Sequence, residues 1–394
     1  MMRVLQFNYT CEPGRGSEPG AGWGLLEAVS SFADSVVALV GPEGTEAIRR
    51  WERNHPAANV EFVEVPEPRW WRLAKKHRIS HFVLYLRWLR TARSVAERLI
   101  RERGFDVVHH ATFSTYWLPS PAVTLGLPSV WGPVGGGVRT PPSLKGLLGA
   151  AGRFGDVLDA VGVAAMERLP ATRRTWRDAT VTIVQNEQTR RRLGDAGRDV
   201  VVLNHALFHR VEAEGGGGRP EAGSPLVWVG ALESRKGPEL VVRALARASA
   251  TVEVVGDGPE RRRIEELAAR LGVADRVTFT GWIPREEVLR RLARTPAAIF
   301  TGVREEGGLA LAESLFLGVP VIVLDHGGAG AIARAASDPA MVSLVPVADA
   351  DAVVAGLASA MDDHAADPRP RAGALLSRRA AIDALAAAFG DAVR

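Results

Sequence analysis

Short β-branched apolar runs alternate along this chain with longer stretches of helical spacing, and Gly or Pro marks most of the joins. That alternation specifies parallel strands connected by helices that cover both faces of a sheet. In the first half the strand-like runs are Arg3–Asn8, Ser35–Val40, Val60–Val65, Val107–His110, Ser129–Trp131 and Thr180–Val184. In the second half they are Leu226–Val229, Thr251–Val255, Val277–Phe279, Ala298–Phe300 and Val321–Leu324. The 394 residues exceed the roughly 250 to 300 at which a single core stops growing, so two α/β domains are expected. The break falls where Gly215-Gly216-Gly217-Gly218 follows a run ending near Phe208, because consecutive glycines carry neither packing information nor a preferred backbone state. The predicted organisation is a first doubly wound, Rossmann-like domain over 1–205, a Gly-rich linker over 206–223, a second over 224–375, and a final helix within 376–394 free to cross back to the first domain. Two such domains facing one another make a cleft lined by strand carboxyl ends, where open α/β sheets place their ligands.

Composition removes several classes of function. With 46% apolar and 24% charged residues the chain is neither disordered nor membrane-embedded, and no uncharged apolar run reaches 18 residues. A net charge of +4 predicts no nucleic-acid partner. A single cysteine, Cys11, excludes a disulfide framework and a cysteine-rich metal site. Met1-Met2-Arg3 leads directly into an alternating segment without a signal-peptide core, so the expected location is the cytoplasm. The charge is unevenly spread: residues 69–103 hold eleven Lys or Arg against two Glu, interleaved with Trp70, Trp71, Tyr85 and Trp88. That pattern suits peripheral contact with an anionic membrane at its inner face, or equally a solvated basic helix.

The densest chemistry lies in Arg304-Glu305-Glu306-Gly307-Gly308-Leu309-Ala310-Leu311-Ala312-Glu313. It reads as a strand end, a Gly-containing loop and a helix beginning near Gly308, whose exposed amides at Gly307, Gly308 and Leu309 favour an anion such as a phosphate. Glu305 and Glu313 would then flank a phosphate and accept hydrogen bonds from hydroxyls on either side of it. Gly230-Ala231-Leu232-Glu233-Ser234-Arg235-Lys236-Gly237 follows another strand and brings two adjacent cations to the same region, as a diphosphate leaving group requires. Gly256 and Gly258 permit close backbone approach after the next strand, and Trp282 can lay an indole against a base.

In this order and spacing the second half resembles the donor-binding domain of glycosyltransferase family 4, the retaining nucleotide-sugar transferases of GT-B fold. The resemblance implies that Glu305 contacts the donor sugar, Glu313 the ribose, and Lys236 the diphosphate, with Arg235 supplying further charge. It implies a nucleotide-diphosphate sugar (UDP-, GDP-, ADP- or dTDP-linked) as donor, no required cofactor and no metal. The sequence departs from the family at Ala231, where Arg is usual, and at Glu306-Gly307, where Gly and an aromatic residue are usual.

The first half then corresponds to an acceptor domain. Gly20 and Gly22, in the glycine-rich segment after the first strand, resemble the family's first loop and would bring main-chain amides to the diphosphate; Glu18 lies beside them. Asp106-Val107-Val108-His109-His110-Ala111-Thr112 resembles the family's Asp-x-x-His segment. A histidine there can bond a sugar hydroxyl or help carry the acceptor proton. The pleat sends His109 and His110 to opposite faces, so one faces the ligand: His109 by position, His110 as the alternative. Thr112, Gly135 and Gly136 are candidates for the acceptor floor. The implied activity is transfer of a sugar to a hydroxyl of a glycan, a lipid or a small molecule. A sugar-nucleotide epimerase, a phosphorylase and a non-catalytic sugar-nucleotide-binding or membrane-pathway scaffold protein fit the same fold.

Overall fold

The computed structural model describes residues 2–67, 78–113, 115–211, 220, 223–371 and 373–394. The chain divides into two compact units. The first comprises Met1–Gly137, Val163–His209 and Arg378–Arg394, and the second Val138–Gly162 and Arg210–Ser377. The final helix, Arg378–Val393, thus belongs to the first unit, while residues 138–162, assigned by sequence to the first domain, cluster with the second. Gly215–Gly218 lie outside the described residues.

The first unit holds seven parallel strands: β1 Arg3–Asn8, β2 Ser35–Val40, β3 Val60–Glu64, β4 Val107–Thr112, β5 Ser129–Val134, β6 Val181–Val184 and β7 Asp199–Val202. Their order is β3-β2-β1-β4-β5-β6-β7, so the winding reverses between β1 and β4. Alternate residues feed two layers, as the pleat demands. Leu5, Phe7, Val37 and Leu39 pack under the helix Arg78–Arg103, whereas Val4, Val36, Ala38 and Val107 pack with the helices Ser17–Ser30 and Arg378–Val393. In the Arg78–Arg103 helix Tyr85 and Trp88 are fully buried beside Tyr9, and exposed ion pairs such as Arg93–Glu97 (2.9 Å) occupy its other side. Tyr85 and Trp88 of the basic segment are thus core residues; Trp70 and Trp71 lie outside the described residues.

The second unit holds six parallel strands: β8 Leu226–Val229, β9 Val252–Val255, β10 Val277–Gly281, β11 Ala298–Phe300, β12 Val321–Leu324 and β13 Val342–Val345. Their order is β10-β9-β8-β11-β12-β13, with the reversal between β8 and β11. The sequence pattern missed β7 and β13, the last strand of each sheet. Both are four-residue edge strands. Asp349 caps the helix Ala350–Ala366 by accepting from the Ala352 amide at 2.9 Å.

Candidate functional site

In a doubly wound sheet the loops at the carboxyl ends of the strands flanking the reversal diverge and leave a crevice. In the second unit those loops follow β8 and β11, and they carry Lys236 and Glu305. The loop after β8 turns through Ser234–Lys236, and Gly237 adopts φ 63° at the start of the helix Pro238–Leu245. A Cβ on Gly237 would lie 2.3 Å from the Thr301 carbonyl oxygen, so the Lys-Gly pair is what lets this loop press against the end of β11. Thr301 Oγ1 locks the contact, donating to the Lys236 carbonyl (3.0 Å) and accepting from Trp228 Nε1 (2.9 Å). The Arg235 carbonyl accepts from the Val303 and Arg304 amides at 3.0 and 3.1 Å.

The Lys236 ammonium pairs with the Glu305 carboxylate, and their side chains are 23% and 16% exposed. The other oxygen of Glu305 accepts from the Gly308 amide at 3.2 Å, the N-cap of the helix Leu309–Phe316. Burial works to raise the Glu305 pKa, but the Lys236 charge and hydrogen bond, the nearby Arg235 charge and the Gly308 amide outweigh it and hold the carboxyl below its ordinary range. Arg235 is paired with Glu233 at 2.6 Å. A cavity of about 40 Å³ opens here, lined among others by Lys236, Thr301, Glu305, Gly308 and Leu309. Gly307 is buried in the loop beside it.

The remaining second-half candidates are placed differently. Glu313, one of the buried residues of the same helix, forms an ion pair with Arg285 at 2.7 Å, a partner 28 residues away that the sequence did not reveal. Gly256, with φ 135°, and Gly258 press on the loop after β8: added Cβ atoms would lie 1.9 Å from the Gly230 carbonyl oxygen and 2.6 Å from that of Leu232. Trp282 follows β10 and is 78% exposed. Sequence also missed the support of Arg304, which donates to Asp156 (3.0 Å) and Asp159 (2.8 Å). Glu306 accepts from the Val138 amide at 2.8 Å.

The first-unit candidates form a buried network. Gly20 and Gly22 are the fourth and sixth residues of the helix Ser17–Ser30, where amides belong to the helical ladder. Their hydrogens face the loop that precedes the helix: Cβ atoms would lie 1.9 Å from the Arg15 carbonyl oxygen and 2.1 Å from that of Thr10. These glycines let the preceding loop pack directly on the helix. Glu18 is half-buried in the first turn of that helix.

His109 and His110 point to opposite faces of β4, and both are buried. His109 is 0% exposed, donates from Nε2 to the Gly132 carbonyl (2.8 Å), accepts at Nδ1 from the Gln6 amide (3.0 Å), and meets Phe389 edge-on at 5.0 Å. Burial pushes its pKa down to about 4, against a smaller raising effect of the Gly132 bond. His110 is hydrogen-bonded to Ser120 Oγ (2.7 Å) and to the Tyr85 hydroxyl (2.8 Å), and its pKa is pushed down to about 3, first by burial and then by His109. Both are buried, hydrogen-bonded histidines, one on each face of β4. Thr112 is equally committed, donating to Asn8 Oδ1 (3.2 Å) and accepting from the Thr10 amide (3.2 Å). Gly135 accepts from the Tyr116 amide at 2.9 Å, and Gly136, with φ 94°, lies against the Trp117 indole. Among the described residues no group of three or more His, Cys, Asp or Glu side chains could hold a metal ion.

Two doubly wound parallel sheets in one chain are the architecture of GT-B enzymes. The solved structure of Anabaena HepE, in complex with UDP and glucose, shares it with a TM-score of 0.55 at 16% identity, over 99% of this chain and 100% of that one. The chain belongs to the group 1 glycosyl transferases, whose family model matches residues 216–374, and it is accordingly a transferase enzyme of GT-B fold. It is 31% identical over 313 residues to the GDP-mannose-dependent alpha-(1-6)-phosphatidylinositol monomannoside mannosyltransferase of Mycolicibacterium smegmatis, covering 69% of this chain and 78% of that protein. It is 33% identical over 117 residues to the 2-deoxystreptamine glucosyltransferase of Streptomyces kanamyceticus, a match spanning 28% of this chain and 30% of that protein.

Proposed function

We propose that this chain is a retaining glycosyltransferase of family 4 that moves a sugar from a nucleotide-diphosphate donor to an acceptor hydroxyl without a metal. The observation that carries the proposal is an ion pair open to solvent: the Glu305 carboxylate, 16% exposed, is held by Lys236 and the Gly308 amide, and these with the Arg235 charge favour its ionised form. A place that stabilises one negative charge against burial is suited to another. In the free enzyme Glu305 is the resident anion. On donor binding, diphosphate oxygens draw Lys236 and Arg235 away from their carboxylates, and the amide of Leu309, at the helix N-terminus, adds its partial charge. Glu305, released but still ionised, then accepts hydrogen bonds from hydroxyls of the donor sugar. As the sugar–phosphate bond breaks, the growing charge on the leaving phosphate is met by these fixed groups, and that phosphate takes the acceptor proton. The exposed Trp282 offers its face to the nucleotide base, with Gly256 and Gly258 holding the adjoining loop close. Glu313, held by Arg285, accepts from the ribose hydroxyls. The acceptor is a hydroxyl of a glycan, a lipid-linked glycan or a small metabolite.

Calorimetric titration of UDP, GDP, ADP and dTDP in the presence of EDTA tests this. One of the four is expected to bind wild type and to lose more than tenfold in affinity, about 1.4 kcal/mol, in Lys236→Ala. Failure of all four to bind would overturn the donor site, and an inverted anomeric configuration in the product, read by NMR, would overturn retention.

A further inference from the structure

The helix Gly149–Glu167 is amphipathic in the reverse of the usual sense. Its inward side is tied to both loops of the candidate site. A Cβ on Gly152 would lie 2.6 Å from Ser234 Oγ, and Asp156 and Asp159 receive Arg304 at 3.0 and 2.8 Å. Its outward side carries Phe154, Val157, Leu158 and Val161, exposed by 66%, 60%, 54% and 63%. At about 100° per residue these four positions fall in one stripe roughly 100° wide, opposite the two aspartates. A helix that turns its acids inward and a contiguous apolar stripe to water presents a surface made for a partner.

The surrounding charge indicates which partner. Between residues 143 and 162 the exposed positions among the described residues include Lys145 and Arg153 and no acid. A second copy of the chain is disfavoured, because an isologous contact over a patch this small would bring the same cations together. An anionic bilayer offers both an apolar boundary for the stripe and phosphates for the cations. We propose that this stripe docks the enzyme on an anionic membrane surface, with Phe154, Val157, Leu158 and Val161 in the boundary between headgroups and acyl chains and Lys145 and Arg153 against the lipid phosphates.

Vesicle flotation tests the proposal. The full chain is mixed with phosphatidylcholine vesicles, with or without one third phosphatidylglycerol, at low and at high salt. Binding is expected only to the anionic vesicles and mainly at low salt. It should fall at least tenfold in Phe154→Ser/Leu158→Ser and in Lys145→Glu/Arg153→Glu, with thermal unfolding unchanged because all four side chains are exposed. As an independent readout, a polarity-sensitive fluorophore on Val157→Cys should shift to the blue on adding anionic vesicles, the native Cys11 being buried. Absence of binding, binding that the Ser variants leave intact, or a dimer in light scattering that those variants dissolve would each overturn it.

Discussion

The reversal points of the two sheets have the same topology and opposite chemistry. Between β1 and β4 the polar residues Gln6, Asn8, His109, His110 and Thr112 are all at most 2% exposed and bond to one another or to nearby backbone. Between β8 and β11, Lys236 and Glu305 keep about a fifth of their side-chain surface open and hold full charges. Polar residues at a strand carboxyl end are thus buried in one sheet and open to solvent in the other. What separates the two is charge kept accessible, in a carboxylate whose ionised form Lys236, Arg235 and the Gly308 amide favour against burial. Removing that support is the strongest way to break the comparison: Lys236→Ala should lower kcat/KM by about 10²- to 10³-fold, the scale of losing one preplaced electrostatic donor. Adding Glu305→Gln should recover whatever stability the single variant loses, since no unpaired carboxylate remains, but no activity. Turnover within a few-fold of wild type in Lys236→Ala would place the chemistry elsewhere.

The sealed network makes the converse prediction. His109→Ala leaves the Gln6 amide and the Gly132 carbonyl without their partner and opens a hole beside Phe389, which should cost about 3 kcal/mol of stability. Nucleotide affinity should be unchanged at pH 7.5. The sign of the pH effect follows from the depressed values, about 4 for His109 and about 3 for His110. Below the ordinary value of 6.5 the unfolded chain takes up protons that the folded chain refuses, so this stability is complete above pH 6.5 and is lost as pH falls toward 4. Each histidine accounts for about 2 kcal/mol of that loss by pH 5. Urea midpoints at pH 7 and pH 5 should therefore fall less in His109→Gln than in wild type. A normal stability combined with abolished turnover would place His109 in the active site.

The contrast between these regions also explains what the sequence could and could not disclose. Central strands were legible because burial on both faces makes them continuous apolar runs. The order of the Lys-Gly and Glu-rich loops was legible because each lies within one local stretch. Pairings across long separations left no local trace: Arg285 with Glu313, or Arg304 with Asp156 and Asp159, 148 and 145 residues apart. Glycines are ambiguous for a physical reason, since a missing Cβ serves close approach of a ligand and close approach of the chain itself equally well.

That ambiguity yields a paired test of smaller effects. In both Gly22→Ala and Gly256→Ala the new methyl meets a carbonyl oxygen at about 2 Å, at 2.1 Å from Thr10 and 1.9 Å from Gly230 respectively, and each should lose about 2 kcal/mol of stability. Only Gly256→Ala should also weaken nucleotide binding, because the loop it displaces carries Lys236. Equal loss of affinity in both would mean that the glycine-rich segment of the first unit does reach the ligand.

Trp282 carries the smallest expected effect and sharpens the comparison at its edge. An indole 78% exposed after β10 contributes almost nothing to folding, so Trp282→Ala should melt within about one degree of wild type. If the ring covers a base, truncation should cost about 1 kcal/mol of nucleotide affinity, roughly fivefold, a typical return for one aromatic stacking contact. Trp282→Phe should recover part of it, because any flat ring supplies most of the stacking surface. The loss should also be the same for a sugar nucleotide and for its bare diphosphate, since the base is common to both. A variant that loses affinity only for the sugar nucleotide would put Trp282 against the sugar, and the orientation of the donor across β8 to β10 would have to be reversed.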